Sequence, residues 1–272
     1  IVNKFRGDLT LFDEGIRIIE EDFKIPVLGV LPYLPFNLGF EDSASLKNFV
    51  QQPRNKKLDI AVIAYPYMSN YNDFEPLIAD DEVFVEFVSS NISLEKFDLV
   101  ILPGSKLVIK DLKWLKEMGL FEQIKNYKKD ICAICGGYEM MFENLEDIYA
   151  LENEEPSKEE GFSFIPDNIT FEKEKILEKK TYDLFDCKID GFEIHHGMSK
   201  LYPLSFEKEN FKGTFVHQIF DNNEFRTKYF KSIKADYIGF DFQEYKKKTV
   251  DNFISTLKSK LDVEYILKSI RK

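Results

Sequence analysis

Hydrophobic and polar positions along this 272-residue chain fall into blocks of changing period, and each block predicts an element. Ile1 to Phe5 reads as a buried strand. Apolar residues at Leu9, Phe12, Ile16, Ile19 and Phe23 recur at helical spacing and predict a helix over 9–23. The run PVLGVL (26–31), bounded by prolines, predicts a second strand. Strand, helix and strand in that order make one β-α-β unit, the repeat of a parallel sheet. A chain that opens inside a strand without Met looks like a piece of something longer. Pro32, Pro35 and Pro53, with the polar stretch Gln51 to Lys57, then mark a boundary. A first segment over 1–40 and a linker over 41–57 follow from that punctuation.

From Leu58 the alternation restarts. Apolar runs over 58–65, 83–88, 97–103 and 130–135 predict strands. An amphipathic stretch over 110–129 predicts a helix broken near Gly119, and 137–145 reads as a further helix. ENEEPSKEE (152–160) reads as a charged loop. Strand-like segments follow over 181–196 and 213–220, and helices over 242–259 and 262–271 close the chain. The pattern predicts an α/β domain over 58–240, followed by C-terminal helices over 241–272.

Composition narrows the classes. Hydrophobic residues make up 44% of the chain, enough for a real core. The formal charge of −11 argues against nucleic acid as a partner, because phosphate recognition needs clustered Lys and Arg. Lys246, Lys247 and Lys248 form a short solvated helical face. No apolar run approaches the roughly 18 residues of a membrane helix, so no membrane partner is expected. Three cysteines do not make a disulfide framework, which fits the reducing cytoplasm. No set of residues has the spacing of a metal site.

The sharpest local signal is ICAICGGYEMM (131–141). An apolar strand runs into Cys135, two glycines and the start of a helix. A nucleophile at a tight strand-to-helix turn is presented on strained backbone, and the glycines let neighbouring chain pass closely. A helix N-terminus there favours the reactive thiolate. Cys132, inside the strand, and Cys187 read as buried structural thiols. A thiol nucleophile needs a base and an oxyanion site. Only His195, His196 and His217 offer the first, each near a strand end, and LPGSK (102–106) offers Gly104 for the second.

Taken together, these segments resemble the cobyric acid synthase family, glutamine-dependent enzymes of cobalamin biosynthesis. The resemblance runs through VNKFRGD (2–8), PVLGVLPYLP (26–35), SNYNDFEPL (69–77) and LVILPGSKLVIKDLKWLKEMGL (99–120). It continues in ICGGYEMM, GFEIHHG (191–197) and GTFVHQIFDNNEFR (213–226), and so covers essentially the whole chain. It implies a flavodoxin-like class I glutamine amidotransferase domain, preceded by the remnant of a P-loop NTPase-like (dethiobiotin-synthetase-like) domain. Cys135 matches the family's nucleophile, His217 its activating histidine, and Gly104 and Gly136 its oxyanion positions. Tyr138, Glu139, Asn70 and His195 are the further substrate-contact candidates.

Three departures qualify what is implied. Ile219 stands where many such enzymes place a Glu that orients the histidine, so His217 is expected to lack an orienter. Glu139 replaces the usual Gln, and its charge is expected to oppose the thiolate and weaken glutamine use. The phosphate loop G-x-x-x-x-G-K-[ST] does not occur. No cofactor is therefore expected in this chain, and ATP and Mg are expected in the complete enzyme. The implied partners are glutamine and, through the synthetase domain, adenosylcobyrinic acid a,c-diamide. Cobyrinic acid a,c-diamide synthase shares the elbow, and a silent amidotransferase-like docking domain is a third reading. The SNYNDF loop (69–74) is expected to border the glutamine site or the ammonia exit, because open α/β sheets bind ligands at the carboxyl ends of their strands.

Overall fold

Strand Val2–Phe5 (β1) and strand Val30–Pro32 (β2) pair in parallel, with helix Asp13–Phe23 (α1) between them in the chain. They open a computed structural model that describes residues 1–34 and 56–270. Most of the expected linker lies outside the described residues. Only the last part of the run 26–31 becomes strand. The Leu28 carbonyl accepts from the Asp262 N–H at 2.7 Å, and Gly29 bridges Leu261. The Leu28 carbonyl, expected to pair inside a sheet, is thus taken by the junction at 261–262, while the Gly29 carbonyl accepts from Val2 N–H of β1 at 3.1 Å.

Residues 56–242 form the other unit, built on two sheets. Leu, Ile, Val and Ala dominate Leu58–Ile63 (β3), which is buried on both faces, as parallel strands covered on both sides must be. Met68–Ser69 (β4) and the single turn Glu75–Ile78 (α2) follow it. Next come Val83–Val88 (β5), Leu99–Leu102 (β6) and Gly104–Ser105 (β7), which pairs with β4. The predicted helix over 110–129 is two helices, Val108–Glu117 (α3) and Leu120–Lys125 (α4). Gly119 sits between them at φ 70°, a left-handed conformation that suits glycine.

Strand Asp130–Ile134 (β8) leads into one helical turn, Gly136–Glu139 (α5). The helix expected over 137–145 ends there because tertiary partners take its carbonyls. Met140 O accepts from Phe162 N–H, and Met141 O accepts from Phe164 and Ile165 N–H. Phe142–Asp147 (β9) then begins a second sheet with Ser157–Glu160 (β10), Ile165–Leu184 (β11) and Cys187–Met198 (β12), in the order β10-β9-β11-β12. The segment expected as a loop over 152–160 therefore contains a strand. Phe185 and Asp186 join β11 to β12 at φ 52° and 56°, a two-residue turn of the twist that hairpins favour.

Ser205–Lys208 (β13) and Phe211–Thr214 (β14) complete the first sheet, in the order β13-β14-β8-β6-β3-β5. All pairings from β14 to β5 are parallel, and β13 is antiparallel at the edge. Helix Asn223–Ile233 (α6), absent from the sequence expectation, is capped by the Asn222 side chain, which accepts from Phe225 N–H at 2.8 Å. The closing helices Phe242–Lys260 (α7) and Val263–Ile270 (α8) cluster with the opening segment rather than standing as a separate tail. Among the described residues, no helix is long and apolar enough to cross a membrane.

The turn after β8 is sealed against β6. A Cβ at Gly137 would lie 2.2 Å from the Leu102 carbonyl oxygen and 2.6 Å from its carbon. Backbone cannot yield as a side-chain tip can. Gly137→Ala is expected to cost about 3 kcal/mol of stability through overpacking, measured by urea unfolding. A loss under roughly 0.5 kcal/mol, the scale of a neutral surface change, would refute that close approach.

Candidate active site

Four of the parallel strands end at one edge of the sheet, and each delivers part of one site. Leu102 stands opposite Ala133 and Thr214 opposite Ile134, so the chain leaves β6, β8 and β14 almost in line. The loop after β3 carries Asn70 and Asp73, β6 is followed by Gly104 and Ser105, β8 by Cys135, and β14 by His217. Open α/β sheets place ligands at this carboxyl edge.

Cys135 adopts φ 51° and ψ −112°, a sparsely populated conformation for a side-chain-bearing residue that costs about 1–3 kcal/mol. It is held by its neighbours. Its N–H donates to Thr214 O at 2.8 Å, and its carbonyl accepts from Glu139 N–H at 2.9 Å. The Sγ lies 3.6 Å from Ile194 O of β12. Gly136 faces β7, where an added Cβ would meet Ser105 N at 2.7 Å. An added Cβ at Gly104 would meet His217 Cε1 at 3.0 Å. The two glycines thus bring β7 backbone and the histidine against the cysteine turn. The helix behind Cys135 is a single turn, too short for its dipole to be the main stabiliser of a thiolate.

That role falls to His217. Its Nδ1 donates to Asp73 Oδ2 at 2.7 Å, and both side chains are fully buried. The other Asp73 oxygen accepts from Gln218 N–H at 2.8 Å, which fixes the carboxylate. Burial alone would push the His217 pKa down, but the Asp73 carboxylate and the hydrogen-bonded Cys135 raise it to about 10. At neutral pH the ring is an imidazolium facing the sulfur. The expectation that His217 lacks an orienter is therefore corrected. Ile219 offers no carboxylate, but Asp73 supplies one from the loop after β3. Asn70 places its amide 3.0 Å from His217 Nε2, and an amide can turn its oxygen to a charged ring or its nitrogen to a neutral one.

Cys135 opens into a cavity of about 340 Å³ that Ser69, Asn70, Ser105, Glu139 and His195 help to line. The strand β12 forms one wall through the motif GFEIHHG. A Cβ at Gly191 would lie 2.5 Å from His217 O, and one at Gly197 would lie 2.3 Å from Glu139 Oε1. His195 is buried in this wall. Its Nδ1 donates to Gly197 O at 2.7 Å, its Nε2 lies 3.2 Å from Glu193 Oε2, and its ring stacks on Phe215. Tyr138, expected as a substrate contact, is a core residue instead. Its ring meets Phe142 and Phe215 edge-on and its hydroxyl donates to Tyr202 O at 3.1 Å. Among the described residues, no group of three His, Cys, Asp or Glu side chains is placed to hold a metal ion.

Glu139 borders the cavity but does not act as the expected charge. Burial, then the nearby Glu152, push its pKa well above the usual glutamate value, against one hydrogen bond from Gly197 N–H. Burial thus favours the protonated acid, a form able to donate and accept much as the amide of Gln would. The charged form that was expected to repel the thiolate is disfavoured to the same degree.

Two outcomes follow from these protonation states. In the unfolded chain Glu139 releases its proton near the usual value, whereas in the folded chain it keeps it. Its contribution to stability is full below the unfolded pKa and is lost as pH rises toward the folded one. The wild type should therefore lose thermal stability relative to Glu139→Gln as pH rises above the ordinary glutamate range, read from Tm against pH. Parallel curves would contradict a buried neutral acid. Asp73→Asn removes the carboxylate that holds the imidazolium, so alkylation of Cys135 by iodoacetamide at pH 7 should slow by roughly tenfold or more. An unchanged alkylation rate would separate Asp73 from thiolate formation.

A family model described as the CobB/CobQ-like glutamine amidotransferase domain matches residues 59–225. The cobyric acid synthase of Acinetobacter baylyi is 65% identical over 271 residues, covering 100% of this chain and 58% of the relative. That of Clostridium tetani is 34% identical over 298 residues, covering 99% of this chain and 60% of the relative. This chain thus spans somewhat more than half the length of the relatives it matches. The family match takes in every strand end that carries the site, from the loop of Asn70 and Asp73 to the turn of His217, and the chain belongs to the CobB/CobQ-like glutamine amidotransferase family.

Proposed function

We propose that this chain is the glutaminase part of a cobyric acid synthase. The observation that carries the reading is a strained, cavity-facing Cys135 opposed by a buried His217 imidazolium that Asp73 holds in place. Similarity to cobyric acid synthases along the whole chain supports the choice within the family.

In this reading the Cys135 thiolate attacks the glutamine carboxamide carbon. Negative charge moves onto the amide oxygen, which the N–H of Gly136 and the backbone at Gly104 and Ser105 stabilise, since preorganised donors act where charge develops. The Gly136 N–H is the first of its helical turn and has no partner within it. The His217 ring gives its proton to the leaving nitrogen and ammonia departs. The neutral ring then takes a proton from water, which cleaves the glutamyl thioester to glutamate and regenerates the thiolate. Asp73 positions the ring through both steps. Ser69, Asn70 and His195 shape the pocket, and Glu139 serves as a buried hydrogen-bonding wall.

Ammonia released here would serve ATP-dependent amidation of carboxylates on adenosylcobyrinic acid a,c-diamide. This chain carries no phosphate loop, so the ATP and Mg of that step belong to the remainder of the relatives' length, in an NTPase-like domain of which residues 1–40 would be the tail. The reading of a silent docking domain loses support, because burial of Glu139 disfavours the charge that would oppose the thiolate.

A diazo-ketone analogue of glutamine should alkylate Cys135 and spare the other thiols, as peptide mapping would report. Burial pushes the Cys132 thiol up to about 12 and raises that of Cys187 as well. In the complete enzyme, Cys135→Ala should abolish glutamine-dependent amidation and preserve amidation from ammonia. Retained glutamine-dependent turnover would overturn the assignment.

A further inference from the structure

Glu152 belongs to a segment whose sequence reads as a solvated charged loop, yet it is nearly buried at 9% exposure and lines the Cys135 cavity. It is held there by a built loop. The fully buried Asp147, at the end of β9, accepts from Leu151 N–H at 2.7 Å, Glu152 N–H at 2.8 Å and Asn153 N–H at 3.2 Å. One carboxylate thus folds the chain back and delivers Leu151 and Glu152 to the cavity wall. The Glu152 Oε2 also faces the start of α3, where Ile109 N–H approaches at 3.4 Å.

The opposite sign sits at the mouth. Lys106 follows β7, and Lys175 comes from an irregularity in which residues 172–175 of β11 stand opposite His196 alone. Both lysines line the cavity and are exposed, whereas Glu139 and Glu152 lie deeper. Of the two carboxyl groups, Glu139 is the more deeply buried. Burial raises the Glu152 pKa to about 7, so a cation arriving beside it would favour its ionised form. The glutamine reading leaves this second carboxyl group in the Cys135 cavity unexplained. A substrate that puts its amide at Cys135 must carry a cation to meet Glu152 and an anion to meet the lysines. An α-amino acid head group does both.

We propose that Glu152 recognises the α-ammonium of the amino-acid substrate, with Lys106 and Lys175 receiving its α-carboxylate. The proposal rests on the glutaminase reading and adds the groups that select a free amino acid over an amide without an α-amino group.

The test compares L-glutamine with glutaramate, the same amide lacking the α-amino group, on the intact protein. Glu152→Gln keeps the size and the backbone contact of the side chain but removes the charge. It should lower kcat/KM for L-glutamine about ten- to a hundredfold, as loss of a charged hydrogen bond does, while changing glutaramate by less than about threefold. An equal loss on both substrates would assign Glu152 a merely structural role and overturn the proposal, as would no loss on L-glutamine. A second measurement needs no variant. In the wild type, a diazo-ketone bearing the α-amino group should label Cys135 at least roughly tenfold faster than its desamino counterpart, and equal rates would also overturn the proposal. Hydrolysis of L-glutamine by the wild type separates the two levels. If it hydrolyses glutamine without this selectivity, only the subsite falls; if it hydrolyses none, the glutaminase reading falls and takes the subsite with it.

Discussion

The buried ion pair between His217 and Asp73 is the constraint on which the site depends. Two charged groups without solvent exposure are tolerated only when each has its partners. Asp73 meets His217 Nδ1 with one oxygen and Gln218 N–H with the other, while the far side of the ring faces Cys135 and Asn70. Deleting one member of such a pair leaves an uncompensated buried charge and costs about 3–5 kcal/mol. The arrangement therefore stabilises the fold and the reactive form of the thiol together. It also explains why a helix of one turn suffices behind the cysteine, because the positive charge that matters belongs to a side chain.

Close approach is the second requirement, and glycine meets it at the points of contact. Gly136 and Gly104 admit β7 and His217 to the cysteine turn, and Gly191 and Gly197 let β12 lie across the site. At none of these four positions does the backbone need an unusual φ. What each glycine supplies is the missing side chain. The motif GFEIHHG thus reads as a wall with thin ends, carrying the Ile194 carbonyl toward Cys135 and seating His195 beneath the cavity.

Some of this was legible in the sequence and some was not, for physical reasons. The strands over 58–103 and 130–135 announced themselves as apolar runs, because parallel strands are buried on both faces. The elbow was visible as a strand ending in Cys and two glycines. Asp73 was named only as part of a loop, since nothing in local sequence pairs a residue after β3 with one after β14. The helix expected over 137–145 failed because its carbonyls were claimed by residues 162–165, a competition that periodicity does not register. Charge misled twice. Glu139 and Glu152 read as an anion and a charged loop residue, but burial raises the pKa of the first and a single inward carboxylate, Asp147, folds the second into the cavity. The helix of residues 223–233 carries a legible signal in the Asn222 cap and the spacing of Phe225, Tyr229 and Phe230.

Asp73 and His217 are separated by 144 positions in the chain. Contacts of such long range form late in folding, because the entropy of closing a large loop is lost before the contact returns anything. The cysteine turn, by contrast, is local and close to its own strand. During synthesis Cys135 therefore exists for a time without its imidazolium. A thiol in that state is a weak nucleophile toward amides and a poor target for oxidants, which attack the thiolate. Placing the activating charge at the far end of the domain times reactivity to the completion of the sheet, so an incompletely made chain is also an unreactive one.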